Sequence, residues 1–281
     1  MGKLLLILFA ALLIVSTTAC GGDSGQDAAP TPAGTQDPIA SDPKGAVAAS
    51  GERLARDVQS VRSEFTWEIE RDGFHIEGNG KYAVQAPGNL HLDAHYRGEG
   101  DTPQQFEEAN DSELLVLGQA VYIKTPVFTG DDWVLFTPEE FSTDWDATQR
   151  LVTNRSPLNY QTVTTGVGAE VSDLGAESID GREYLHYGTT IDAGTLMDAL
   201  ADSYGSQGQV MLANRFSGPI PTELWVDAVT LLPRRLRAEG NLTFMDAPTR
   251  LMLTVDFLDL NGAVELPVAP KDAIPFRDLS R

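Results

Sequence analysis

Three side chains in one short segment have the spacing of metal ligands. His91, Asp93 and His95 occupy alternate positions of the stretch NLHLDAHYR. Successive side chains of a strand point to opposite faces, so these three project from the same face if the segment is a β-strand. Catalytic zinc sites use three such ligands and keep a fourth position open. The face opposite the apolar residues of this segment is expected to be solvated, however, and the sequence favours a polar surface without a metal.

Other signatures of catalysis are missing from the sequence. It contains no Gly-x-Ser-x-Gly elbow, no phosphate-binding loop and no His-Glu-x-x-His motif. His75 and His186 fall in strand-like segments without an evident nucleophile or acid partner. Adjacent acids such as Glu107-Glu108 and Glu139-Glu140 are expected as solvated surface among 41 acidic residues, rather than as the carboxylate pair of a glycosidase. We therefore predict a protein that is not an enzyme and has no cofactor.

The single cysteine, Cys20, follows an export signal. Lys3 precedes an apolar run at 4–15, which is short for a bilayer-spanning helix of about 20 residues, and residues 16–19 are small. Small residues directly before a cysteine resemble a bacterial lipobox, in which the sulfur carries a diacylglycerol. We predict a signal peptide at 1–19 and lipid attachment at Cys20, where two or three acyl chains would give stable anchoring. Ordinary secretory cleavage beside an incidental cysteine is the alternative.

The charge of the chain limits its partners. Its formal net charge is −21 at pH 7. Nucleic-acid binding needs a basic surface, and anionic lipid headgroups attract basic segments, so neither partner suits this composition. The lipid anchor is therefore expected to hold the exported protein at the outer face of the cytoplasmic membrane, or at an outer membrane if one is present.

Composition divides the mature chain into a stalk and a domain. Residues 20–45 are rich in Gly, Pro, Ala, Ser and Asp, which predicts a flexible stalk. Residues 46–281 form the predicted domain, whose lack of cysteine excludes an internal disulfide. At its start, Leu54, Val58 and Val61 have the i, i+4, i+7 spacing of one helix face, so we expect a helix over about 46–61.

Most of the domain is predicted to be strand. The stretch SEFTWEIE alternates apolar and polar residues, and NLHLDAHYR repeats the pattern. Asp180-Gly181 is a turn-favouring pair at the centre of a predicted hairpin, and Gly118-Gln119 joins two apolar strands. Helices are expected at about 138–151 and 192–205. Further strands are predicted at DDWVLF, PTELWVD, RRLRAEGNLTF and TRLMLTVDFLDLNG.

These elements predict an α+β fold. The simplest arrangement is a single large antiparallel sheet of ten or eleven strands with helices on one side. A sheet of that width is expected to curl rather than to stay flat.

The segment ELWVDAVTLLPRRLR resembles a motif of the LolA-like lipoproteins, especially the mycobacterial LppX/LprG group. In that group a strand ending in Trp-x-Asp leads through a turn with Thr and Leu-Pro into a basic strand. Leu231 stands where a glycine is more usual. The lipobox, the stalk, the first helix and the hairpin extend the resemblance over most of the mature chain. The matching residues are Trp225, Asp227, Thr230, Leu232, Pro233 and Arg234.

This resemblance implies a half-open β-barrel whose concave face, covered by helices, encloses an apolar cavity for acyl chains. An ordinary filled core would show the same alternation, because both need apolar walls. The candidate cavity residues are Phe65, Trp67, Ile69, Leu90, Leu92, Leu251, Leu253, Val255 and Phe257.

The implied function is that of a membrane-anchored lipoprotein which binds a lipid or acylated ligand and carries or presents it outside the cytoplasmic membrane. An envelope transporter or a membrane protein would be its partner. The alternative is a sensory or scaffolding module of the same fold that binds a membrane or envelope protein, since an exposed apolar groove serves either role.

Overall fold

The computed structural model describes six ranges of the chain, namely 42–85, 88–100, 110–137, 167–192, 216–244 and 247–279. The predicted signal peptide, Cys20 and the helix expected at 138–151 lie outside these ranges. The helix expected at 192–205 also lies outside them, except for Asp192, which is the last residue of a strand.

Thirteen strands form one sheet in the described ranges. Their order is β13-β6-β5-β4-β3-β2-β1-β12-β11-β10-β8-β7, with β9 beside β11. The bounds are β1 Ser60–Arg71, β2 Phe74–Gln85, β3 Asn89–Gly100, β4 Asn110–Leu117, β5 Ala120–Lys124, β6 Val134–Phe136, β7 Val167–Ile179, β8 Arg182–Asp192, β9 Phe216–Ser217, β10 Pro219–Asp227, β11 Pro233–Phe244, β12 Ala247–Leu260 and β13 Ile274–Pro275.

The single, mainly antiparallel sheet is confirmed, and two details differ from the prediction. β13 pairs with β6 in parallel. The sheet also has more than the expected ten or eleven strands, because it includes two strands of only two residues, β9 beside β11 and β13 beside β6. Within the described ranges the terminal strands β13 and β7 do not pair with each other, so the sheet remains open.

The first helix, α1, spans Pro43–Asp57 and packs against β7, β10 and β11. Pro43 suits the first turn because the proline nitrogen has no hydrogen to leave unsatisfied there. The helix begins three residues earlier than predicted and ends before Val58, whose backbone is extended. Val58 and Val61 are buried, as their spacing indicated, but Val61 belongs to β1.

Two shorter helical segments follow, α2 at Pro126–Thr129 and a 3-10 turn at Phe276–Asp278. Among the described residues, no helix combines the length and apolarity needed to cross a membrane.

The predicted hairpin at Asp180-Gly181 is confirmed. Both residues have positive φ, 52° and 78°. This is the sign that the central pair of a type I′ turn requires, and such turns match the twist of the strands they join. β7 and β8 are therefore connected by the shortest common hairpin loop.

Candidate functional site

The nine predicted cavity residues come together on one face of the sheet, here called the inner face. β1 and β12 are neighbours, which sets Phe65 opposite Val255 and Trp67 opposite Leu253. Eight of the nine are buried, and Leu251 is partly buried against the same cluster. Residues of α1 belong to this cluster too, so the helix lies on the inner face.

Two glycines of β2 give the aromatic rings of β1 their space. Gly78 pairs with Trp67, and Gly80 pairs with Phe65. A Cβ atom added at Gly78 would overlap the indole ring, and one added at Gly80 would overlap the Phe65 ring and the carbonyl oxygen of Asp93. The rings therefore lie over bare backbone. The sequence reading missed β2, because these glycines interrupt its apolar alternation; the glycine pair itself, spaced i, i+2, was the available signal.

The inner face carries no charge over its central strands. Its inward positions run from Val61 to Ile69 on β1, from Ile76 to Val84 on β2 and from Leu90 to Gly98 on β3. Every side chain at these positions is apolar or aromatic, apart from the glycines and Ser63. Such a surface suits hydrocarbon and offers no ion pair to a charged group.

Ser63 is the aliphatic hydroxyl residue at these positions, beside the aromatic hydroxyls of Tyr82 and Tyr96, and sequence reasoning did not single it out. It pairs with Tyr82 on one side and Phe257 on the other. Burial raises the pKa of the Tyr82 phenol, as expected for a group removed from water. Ser63 is itself 2% exposed, and its hydroxyl oxygen has no hydrogen-bond partner in the described part of the protein.

The histidines of β3 lie on the opposite, outer face, as their spacing predicted. His95 Nδ1 lies 2.6 Å from Asp111 Oδ1 and Nε2 lies 3.7 Å from Asp93 Oδ2, while His91 Nε2 lies 3.5 Å from Glu113 Oε2. The hydrogen bond to Asp111 raises the pKa of His95. Within the described ranges, no group of three or more His, Cys, Asp or Glu residues is arranged to hold a metal ion. The contacts with Asp111 and Glu113 join β3 to β4, the contact with Asp93 lies within β3, and all three belong to a polar surface.

The surroundings of His186 contradict the expectation that this residue has no acid partner. Its ring stacks on Trp225 with centroids 4.1 Å apart, and its Nε2 lies 3.2 Å from Glu223 Oε2. The Trp225 indole nitrogen donates a hydrogen bond of 2.8 Å to Glu177 Oε2. Strand pairing brings these residues together from β7, β8 and β10. Because they are far apart in the chain, their positions in the sequence did not indicate the contact.

The rest of the Trp-x-Asp motif builds the turn between β10 and β11. Asp227 Oδ1 accepts hydrogen bonds of 3.0 and 2.8 Å from the backbone nitrogens of Val229 and Thr230. Leu231 has φ of 54° and is completely buried, so a large side chain occupies a left-handed position there. Arg53 of α1 donates a hydrogen bond of 2.9 Å to the Thr230 carbonyl. The motif is thus architectural, since it fixes the turn against the first helix.

The protein is similar to LprF of Mycobacterium bovis. The two share 18% identity, with a TM-score of 0.48 over 84% of this chain and 99% of LprF. The Mycobacterium tuberculosis lipoprotein LppX shares 17% identity, with a TM-score of 0.42 over 79% of this chain and 98% of LppX. A LolA superfamily protein from Nitrosomonas europaea shares 10%, with a TM-score of 0.29 over 79% and 93%.

These structures include the two groups that the sequence motif indicated. No protein-family model matches the sequence, and no curated protein matches it significantly. A likeness at such identities concerns the fold, and function depends on the residues of the site.

Proposed function

We propose that this protein is an exported lipoprotein, anchored through Cys20, that binds a lipid or acyl ligand on its inner face and carries or presents it outside the cytoplasmic membrane. The observation that carries the proposal is the continuous, charge-free inner face of an open sheet. Aromatic rings over the glycines of β2 and aliphatic side chains beside them make an apolar surface of the kind that hydrocarbon contacts favourably.

Binding on this face requires no covalent chemistry, and we propose no enzymatic activity. Apolar burial contributes about 25 cal/mol for each square ångström removed from water. A lipid that moves from a membrane or a partner protein to this face loses apolar contacts at the first site and gains similar contacts at the second, so its free energy changes little. The ligand is then held firmly in water and still released to an acceptor, which suits a carrier.

Native mass spectrometry tests this proposal directly. The chain from residue 21 onward, without signal peptide and anchor cysteine, would be purified without detergent, measured intact and then extracted with organic solvent. We expect a stoichiometric added mass that proves to be lipid, or uptake of offered phospholipid. A protein that carries no added mass and takes up neither phospholipid nor glycolipid would contradict the carrier function.

The alternative, a sensory or scaffolding module, is favoured by a different observation. Among the described strands, β7 is the last in the sheet order, and its residues from Ser172 to Ser178 are all exposed. An open edge of this kind can accept an extended segment of another protein as an additional strand. Hydrogen exchange separates the two functions, because lipid would protect strands of the inner face, whereas a protein partner would protect the amides of β7.

A further inference from the structure

One serine lies in a row of apolar and aromatic side chains on the inner face, here called the Ser63 row, in which the neighbouring Tyr82 carries the other hydroxyl group. The pairings of β6, β5, β4, β3, β2, β1 and β12 align its members side by side. Each is at most 8% exposed. The members are Val134, Ile123, Leu114, Leu92, Tyr82, Ser63 and Phe257.

The Ser63 hydroxyl is buried without a hydrogen-bond partner among the residues that the structure describes. Folded proteins satisfy most buried side-chain polar atoms, since an unmet hydroxyl loses its bonds to water and gains nothing in return. An alanine at this position would fill the same strand position without that loss. The serine is therefore a feature that packing alone does not explain.

The local backbone gives this side chain its position. The pairing of β1 with β12 changes register between Arg62, opposite Asp259, and Ser63, opposite Phe257. Such irregularities are common beside functional sites. The additional residue is Leu258 of β12, so Ser63 keeps the regular alternation of β1 and lies in the same inward series as Phe65, Trp67 and Ile69, whose side chains are the proposed lipid contacts.

The residues around Ser63 limit the kind of ligand group that could form a hydrogen bond with its hydroxyl. The inward positions of β1 from Val61 to Ile69, and those of β2 and β3 beside them, hold no cation and no acid. A charged headgroup would lose its hydration here without an opposite charge to replace it. A neutral acceptor oxygen loses less hydration free energy than a charged group does. A serine hydroxyl can donate one hydrogen bond to such an oxygen.

We propose that Ser63 is a specificity residue whose hydroxyl donates a hydrogen bond to an ester carbonyl oxygen of a bound acyl lipid. This inference rests on the proposed lipid-binding function. The hydrogen bond would fix how far the lipid enters, with hydrocarbon chains against the aromatic residues and the ester linkage beside Ser63. The site then prefers ester-linked acyl lipids to ether-linked lipids of equal chain length.

The test compares two lipids that differ in the linkage, dipalmitoylphosphatidylcholine with ester bonds and dihexadecylphosphatidylcholine with ether bonds. Their binding would be measured by native mass spectrometry for the chain from residue 21 onward, for Ser63→Ala and for Ser172→Ala, whose serine is exposed on β7. We expect the unmodified chain and Ser172→Ala to prefer the ester lipid by about three- to tenfold, the usual effect of one hydrogen bond. Ser63→Ala should bind both lipids equally.

A thermal melt of the ligand-free proteins supplies an independent readout. Since the hydroxyl has no partner in the described part of the protein, Ser63→Ala should melt at the same temperature or higher. A lower melting temperature would show that the hydroxyl is already bonded, and would overturn the inference. Equal binding of both lipids by the unmodified chain, or an ester preference that survives in Ser63→Ala, would overturn it as well. Failure to bind either lipid would reject the carrier function together with it.

Discussion

The indole ring of Trp67 lies over the bare backbone of Gly78, its partner on the neighbouring strand. A tryptophan opposite a glycine leaves no gap, because the ring covers the space that the missing side chain vacates. Phe65 and Gly80 repeat the arrangement two residues along. The two pairs place both aromatic rings over the backbone of β2 on the inner face.

Substituting Gly78 by alanine tests this packing. The added methyl group would overlap the indole, so we expect the free energy of unfolding to fall by about 1–3 kcal/mol. Urea denaturation measures this change. In a Trp67→Leu background the same substitution should cost clearly less, because its obstacle is gone. An equal cost in both backgrounds would show that Gly78 is needed for a reason other than the ring.

A carboxylate on the inner face should abolish lipid binding. Leu251 is the partly buried member of the nine cavity residues, so Leu251→Glu is the substitution there that the fold tolerates best. The charge would have to be desolvated beneath a bound hydrocarbon chain, and we expect at least a tenfold loss of lipid uptake.

Thr254→Glu is the matched control for that variant. Thr254 also lies on β12 but at an outer position, opposite Thr66 and Arg237. Uptake by this control should equal that of the unmodified chain in native mass spectrometry. Normal uptake by a folded Leu251→Glu variant would place the ligand elsewhere.

Two substitutions of Leu231 separate backbone strain from burial. Leu231→Ala loses a completely buried side chain and should cost about 2–5 kcal/mol. Leu231→Gly loses the same side chain and also relieves the left-handed conformation, which costs other residues roughly 1–2 kcal/mol. The glycine variant should therefore unfold at a higher urea concentration than the alanine variant. The reverse order would mean that φ at this turn is not held positive in solution.

The pair of His95 and Asp111 should make a small contribution to stability that depends on pH. Its hydrogen bond raises the pKa of His95 above the ordinary value of 6.5. A raised pKa means that the folded state favours the charged imidazole, so the stabilisation is complete below pH 6.5 and disappears as the pH rises through the folded-state pKa.

Asp111→Asn should therefore destabilise the protein at pH 5 and have little effect at pH 8.5. Because half of the His95 side chain is exposed, the difference is expected to stay below about 1 kcal/mol. Nuclear magnetic resonance titration of His95 measures the cause directly, and its pKa should fall towards 6.5 in the variant. An unchanged titration would show that Asp111 does not hold the proton on His95.

Local patterns in the sequence were sufficient to predict much of this fold. Alternation identified β1, β3 and β12, since a strand with one dry face must repeat apolar residues with a period of two. The Asp180-Gly181 pair identified its hairpin because few residue pairs adopt positive φ twice. The nine inner-face residues were predicted from the same alternation, and their role as ligand contacts remains a prediction.

Contacts between distant segments were decided by the tertiary structure. Nothing local indicates that β12 pairs with β1, that β13 runs parallel to β6, or that Glu177 and Glu223 meet His186. β2 was not predicted from the sequence, because the need for its glycines arises from aromatic rings on the neighbouring strand β1.

Ser63 shows the same division most clearly. Its residue type is visible in the sequence, whereas its burial and its lack of a partner in the described structure follow from the strands on either side. The positions of the strands and of their apolar faces can be predicted from the sequence, because those properties depend on neighbouring residues. The tertiary structure alone decided which strands adjoin and which polar atoms they enclose, because those properties depend on residues far apart in the chain.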